Sequence, residues 1–155
     1  MDYRPPERVK RLDCTANQKP GLQVDSRMDT IFLDNEHRHG PIHHNSIRLL
    51  YIEPGTENDE ISCCLLVAPR ETATGYEALS SCWGQTRECH RILIDSKSFY
   101  IRLNLYHALR RLRQADRPVI IWVDALCISQ SDTGEKTAQV SKMAMVFLRA
   151  QNVLI

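Results

Sequence analysis

The run Val119-Ile120-Ile121-Trp122-Val123 constrains this chain more than any other segment. Its apolar residues are continuous rather than alternating, as in a strand covered on both faces inside a sheet. On its N-terminal side, Leu105, Ala108, Leu109 and Leu112 recur at i, i+3, i+4 and i+7, which predicts an amphipathic helix. Asn104 is the expected N-cap, Arg110, Arg111 and Arg113 the outward face, and Asp116-Arg117-Pro118 the stop. After the run, residues 134–150 read as one helix with Val140, Met143, Phe147 and Ala150 on its apolar face, and residues 152–155 begin another strand. Buried strands alternating with helices predict an α/β fold: a mostly parallel central sheet with flanking helices. In such sheets ligands sit beyond the carboxyl ends of the strands, and Asp124 directly follows the buried run.

Upstream, residues 47–52 and 61–68 are two apolar runs joined by a polar loop, and residues 76–82 read as a third strand leading to Trp83-Gly84. If that strand runs parallel to residues 119–123, both ends open on one rim, where a polar site can form. Ile92-Leu93-Ile94 and Phe99-Tyr100-Ile101 flank Asp95-Ser96-Lys97 as a hairpin. Residues 1–45 are polar and punctuated by Pro5-Pro6, Lys19-Pro20-Gly21 and Gly40-Pro41, so they are expected to form a weakly structured leader to a domain over 46–155.

Charge and composition narrow the partners. Lys and Arg number 20 against 19 Asp and Glu, with no block of like charge, so neither a nucleic-acid footprint nor a polybasic membrane arm is expected. The apolar runs fall far short of the roughly 20 residues that span a bilayer. The first residues lack the apolar core of a secretory signal, so a cytoplasmic protein is expected. The six cysteines are then thiols, and no pair has Cys-x-x-Cys spacing. His37, His39, His43 and His44 lie close together, but a polar surface loop accounts for them and no metal is expected. The scattered glycines form no phosphate-cradling loop, so no dinucleotide fingerprint or P-loop is present and no resident cofactor is expected.

Three segments carry the most information. They are Tyr76-Glu77-Ala78-Leu79-Ser80-Ser81-Cys82-Trp83-Gly84, then residues 104–113, then Ile121-Trp122-Val123-Asp124-Ala125-Leu126-Cys127-Ile128-Ser129-Gln130. In this order they resemble the fungal heterokaryon incompatibility domain. That family's first motif reads Tyr-Glu-Ala-Leu-Ser-Tyr-x-Trp-Gly and departs here only at Ser81; its later motif reads Trp-Ile-Asp-Ala-x-Cys-Ile-Asn-Gln, with Ser129 here in place of Asn. Ile47-Arg48-Leu49-Leu50, Pro54-Gly55, Ile61-Ser62-Cys63, Glu135-Lys136, Gln139-Val140 and Met143 look like the family as well, so the resemblance covers residues 46–155. It implies a role in nonself recognition and programmed cell death, and a remote relation to the Toll/interleukin-1 receptor fold, some of whose domains cleave NAD. Family members continue past the Val-Leu-Ile strand with a Trp-containing segment, so the chain is expected to hold only the N-terminal part of the domain, truncated at its C-terminus.

Cleaving the glycosidic bond of NAD, here a substrate, requires a carboxylate beside the ribose to hold its hydroxyls and stabilise an oxocarbenium-like transition state. Glu77, Asp124 and Glu135 are the catalytic candidates, and Trp83, Gly84 and Gln130 the candidates for holding the dinucleotide. Each has a structural alternative. Asp124 serves equally as a loop or helix cap, Glu135 as a residue favoured by the helix dipole, and Glu77 as the ion-pair partner of Arg87 or Arg91. Trp122 is expected in the core, while Cys82 and Cys127 have no local base and read as small buried apolar residues. Two functions follow, an NAD-consuming enzyme or a non-catalytic death-signalling module that assembles with itself or a protein partner. A third outcome is an inactive truncated copy.

Overall fold

The structure, a computed structural model, describes Lys10–Arg11 as backbone and residues 39–80 and 88–155 in full. Its strands are β1 (Lys10–Arg11), β2 (Ser46–Ile52), β3 (Ser62–Pro69), β4 (Glu77–Leu79), β5 (Cys89–Ile94), β6 (Lys97–Arg102), β7 (Val119–Trp122) and β8 (Val153–Leu154). Its helices are α1 (Leu103–Leu112), α2 (Asp124–Cys127), α3 (Thr133–Val140) and α4 (Met143–Arg149). All the strands join one sheet in the order β6-β5-β3-β2-β7-β4-β8, with β1 also on β3. The fold is α/β, as the alternation of elements predicts, and no helix of the described residues is long and apolar enough to cross a membrane.

The expected mostly parallel sheet is corrected to a mixed one. β2 runs antiparallel to both β3 and β7, and β5 antiparallel to β6; β3 with β5, and β4 with β7 and with β8, are parallel. A continuous apolar run reports that both faces are covered; it carries no record of strand direction. Ile121, Trp122 and Val123 are buried, as expected, but the strand they form has one antiparallel and one parallel neighbour. β2 and β3 are buried along most of their length because they occupy the middle of the sheet. Trp122 packs edge-on to Phe147 of α4 at 5.4 Å between ring centroids, which ties the helical layer to the sheet.

Three local expectations are also corrected. β6 passes into α1 without a loop, so the N-cap is Arg102 and Asn104 lies within the first turn; the Leu103 N–H donates to Glu88 O instead. Arg113 turns inward rather than outward, where its guanidinium donates to the carbonyls of Thr56, Asp59 and Glu60 and gathers the loop after β2. Gly55 packs closely there: a Cβ would meet Arg113 Nη1 at 3.1 Å, so a larger residue requires the guanidinium to shift by a few tenths of an ångström. Residues 134–150 form two helices, broken at Ser141 and Lys142. The inward side of α3 carries the polar Gln139, and Val140 is 49% exposed, so no apolar stripe runs the full length.

The β5–β6 hairpin turns on Asp95 and Ser96, both with positive φ (51° and 65°), the pair of conformations that a two-residue type I′ turn demands. A serine in that region carries a steric cost that glycine does not. Ser96→Gly is therefore expected to stabilise the fold by about 0.5–1 kcal/mol, measured as a higher urea midpoint at unchanged slope.

Candidate functional site

The parallel trio β7, β4 and β8 brings three carboxyl ends to one rim. Beyond β7 the chain enters the single turn α2 at once. Asp124 caps it from within, its Oδ1 accepting from Ala125 N at 2.8 Å, and Gln130 Nε2 donates back to Asp124 O at 3.0 Å. Ser129 N donates to Glu135 Oε1 at 2.9 Å. Asp132 caps α3 by accepting from Glu135 N at 2.9 Å, which sets Glu135 in the first turn. Three sequence-predicted residues, Asp124, Gln130 and Glu135, are thus drawn together around the Ser129-Gln130 backbone.

Glu135 faces a partner that sequence reasoning does not single out as a site residue. Arg48 stands in the middle of β2 with its side chain fully buried, and its two terminal nitrogens grip both Glu135 oxygens, Nη2 to Oε2 at 2.9 Å and Nη1 to Oε1. Nη1 also donates to Cys127 O at 3.2 Å and Nη2 to Gly40 O at 2.5 Å, while Nε is buried without a partner. His39 Nε2 lies 2.7 Å from Leu126 O, and since a carbonyl only accepts, that nitrogen carries the proton. Burial holds His39 below its ordinary value of 6.5, against the opposing pull of this hydrogen bond, so the ring is neutral at pH 7. Burial pushes the Glu135 pKa up, but the hydrogen bonds from Arg48 and Ser129 N and the Arg48 charge outweigh it, and the carboxyl ends below its ordinary value of 4.5. Glu135 is a fixed carboxylate anion.

α3 and the break that follows it extend this contact. Glu135, Gln139 and Lys142, at i, i+4 and i+7, meet Arg48, Ser46 O (3.1 Å) and His44 O (3.3 Å) in turn. Residues 39–48 are therefore strapped to α2 and α3 by polar bonds, including His39 and Gly40, which a domain boundary at residue 46 leaves outside.

The other predicted residues are disposed differently. Glu77 pairs in register with Ile121, three residues or about 10 Å upstream of Asp124 along parallel strands, and its carboxylate accepts from Asn152 Nδ2 at 3.3 Å. Arg91, one of its suggested partners, instead pairs with Glu60 at 2.5 Å. Trp83, Gly84, Cys82 and Arg87 lie outside the described residues. Trp122 is in the core as expected. Cys127 is buried too, and burial raises its thiol to about 12, which leaves it no role as a nucleophile at neutral pH. His90 stacks on Tyr106 at 4.5 Å and pairs with Glu88, while His43 and His44 lie ring to ring at 4.1 Å.

Arg48→Met strands the Glu135 charge and is expected to destabilise the fold by about 3–5 kcal/mol in chemical denaturation. Both depressed pKa values predict acid lability in two stages. Below pH 6.5 the unfolded chain gains protons that folded His39 refuses, and below about 4.5 the same holds for Glu135, so stability falls in each window. His39→Gln is expected to remove the first stage from a pH series of unfolding free energies and leave the second.

The comparisons with known proteins agree with this geometry. A family profile described as heterokaryon incompatibility protein (HET) matches residues 76–155, from the residue before β4 through β7, α2 and α3 to the end of the chain. Heterokaryon incompatibility protein 6, OR allele, of Neurospora crassa is 33% identical over 123 residues, which covers 70% of this chain and 18% of that protein. No solved structure matches the chain. With the profile spanning more than half of its 155 residues, including the rim motif and Glu135, this chain belongs to the heterokaryon incompatibility family.

Proposed function

We propose that the chain acts in heterokaryon incompatibility, in nonself recognition and programmed cell-death signalling, and that it does so by cleaving NAD at the rim of β7. Family membership and the name of the Neurospora crassa relative support the first part, although the chain spans only 18% of that protein. The observation that carries the second is Glu135: an ionised carboxylate, oriented by Arg48 and Ser129 N, whose Oε2 accepts only from Arg48 among the described residues. The parallel trio also supports a remote relation to the Toll/interleukin-1 receptor fold.

In this reaction the bond between nicotinamide nitrogen and ribose breaks, and its electron pair neutralises the positive charge of the departing ring. Glu135 Oε2 accepts from a ribose hydroxyl and Asp124 adds negative potential as the sugar becomes an oxocarbenium ion. Water adds to the sugar carbon and releases its proton, giving ADP-ribose and nicotinamide. Trp83, Gly84 and Gln130 are the residues for holding the dinucleotide. Glu77 contributes from further back along β4.

Purified protein incubated with NAD at pH 7 is expected to release nicotinamide, and Glu135→Gln and Asp124→Asn to slow release at least about 100-fold while circular dichroism reports a folded chain. Absence of release at high protein concentration, or release unchanged by both substitutions, would remove the enzymatic assignment.

One observation favours the second function, a non-catalytic module that assembles with copies of itself. Val140, Met145 and Leu148 (78%) are large apolar side chains left exposed at the end of α3 and along α4. Grouped exposed apolar side chains mark surfaces that a partner covers. Light scattering is expected to show concentration-dependent association that Leu148→Lys abolishes; a monomer at every concentration excludes this surface.

A further inference from the structure

One corner of the molecule, away from the rim residues, collects positive charge that the fold does not neutralise. Arg70 follows β3 and Lys142 stands between α3 and α4, yet both donate to the same acceptor, the carbonyl oxygen of His44. Two nitrogens within hydrogen-bond reach of one oxygen lie within about 6 Å of each other. Like charges at that separation repel, and a neutral carbonyl offsets only part of the repulsion. Beside them, Arg149 Nη1 is bonded to the carbonyl of Glu71 at 2.5 Å. Three permanent cations are thus engaged with backbone oxygens rather than carboxylates. The one carboxylate there, that of Glu71, is exposed and forms no ion pair among the described residues.

Two further donors go unused. Arg70 Nε is buried without an acceptor, one of two such side-chain atoms among the described residues. His43 accepts the Asn45 N–H on Nδ1 at 3.3 Å, so its neutral ring carries the proton on Nε2, in an exposed side chain. Guanidinium and ammonium N–H groups converging on one carbonyl, with no ion pair to a carboxylate among the described residues, are a donor set that binds tetrahedral oxyanions.

We infer that this corner, built by Arg70 and Lys142 on the 43–45 turn, is an anion site that takes the phosphate group of a small phosphorylated ligand. Arg70 supplies directional donors and Lys142 a point charge. Bound phosphate would relieve the repulsion across His44 O and fasten residues 39–45 more firmly to α3. The site does not depend on the rim being catalytic. A dinucleotide with its diphosphate at Arg70 is one candidate and free phosphates are another.

Calorimetric titration of the full chain with pyrophosphate, at fixed ionic strength, is expected to give saturable binding. Arg70→Gln and Lys142→Gln are expected to weaken it at least tenfold, and Lys136→Gln, at an exposed position on α3, to leave it unchanged. Arg70→Lys keeps the charge and should retain part of the affinity. The imidazole resonances of His43 and His44 in the unsubstituted protein should shift during the same titration, a readout that does not rely on any variant folding. A parallel titration with NAD separates the sources. Binding weakened by Arg70→Gln assigns the site to the dinucleotide, while pyrophosphate binding without NAD binding keeps the anion site and counts against NAD as substrate. No saturable pyrophosphate binding, or binding indifferent to Arg70→Gln and Lys142→Gln, overturns the proposal.

Discussion

A single guanidinium, that of Arg48, organises the functional end of this molecule. It is a full charge placed in the central strand of a sheet, at a depth where an unpaired ion is among the most costly groups a fold can contain. The surroundings are arranged to meet that demand: both Glu135 oxygens, the carbonyl that ends α2, and the carbonyl of Gly40. Each partner comes from a segment that would otherwise be a surface loop or a helix start. Placing the positive charge first explains why residues 39–40, α2 and the first turn of α3 meet at one point.

Glu135 then has two duties. Its anionic state is imposed by Arg48, and its position is imposed by Ser129 N and the Asp132 cap. A carboxylate held ionised and immobile suits stabilisation of developing positive charge far better than proton transfer, which would require a pKa near the working pH. Asp124 Oδ1 accepts from Ala125 N within its own helix turn, and Gln130 donates to Asp124 O. The polar stripe Glu135, Gln139, Lys142 continues the same theme away from the rim, which is why α3 and α4 divide the work between polar strapping and apolar packing on Trp122.

Much of this was legible in the amino-acid sequence, and the failures have physical causes. The strands at residues 47–52, 61–68, 92–94, 99–101 and 119–123 were visible because apolar runs ended sharply at Pro, Gly and Asp. The parallel approach of β4 and β7, stated as a condition, holds. Sheet direction was not legible, because β2 pairs with β7 across a long stretch of intervening chain and burial is indifferent to polarity. The candidates Asp124, Gln130 and Glu135, picked for their place after a buried strand, lie in one hydrogen-bonded loop after β7. Arg48 was not read as a site residue, although a cation inside Ile47-Arg48-Leu49-Leu50 is itself a signal: a charge within a buried run must have a dedicated partner. Arg113 deceived helical periodicity in the same way, since a long side chain on the polar face can curl back to collect carbonyls.

The contacts of Arg48 also dictate an order of events during folding. Its acceptors at Cys127 and Glu135 lie 79 and 87 residues away along the chain, whereas the pairing of β2 with β3 is local. Nearby contacts form early and distant ones late, because closing a long loop costs more entropy before it returns any contact. The arginine therefore enters the growing sheet still hydrated, and dehydration is completed only when α2 and α3 arrive with its counter-charge. A chain interrupted before that docking carries a charge it cannot bury and lacks the contacts that join α2 and α3 to residues 39–48.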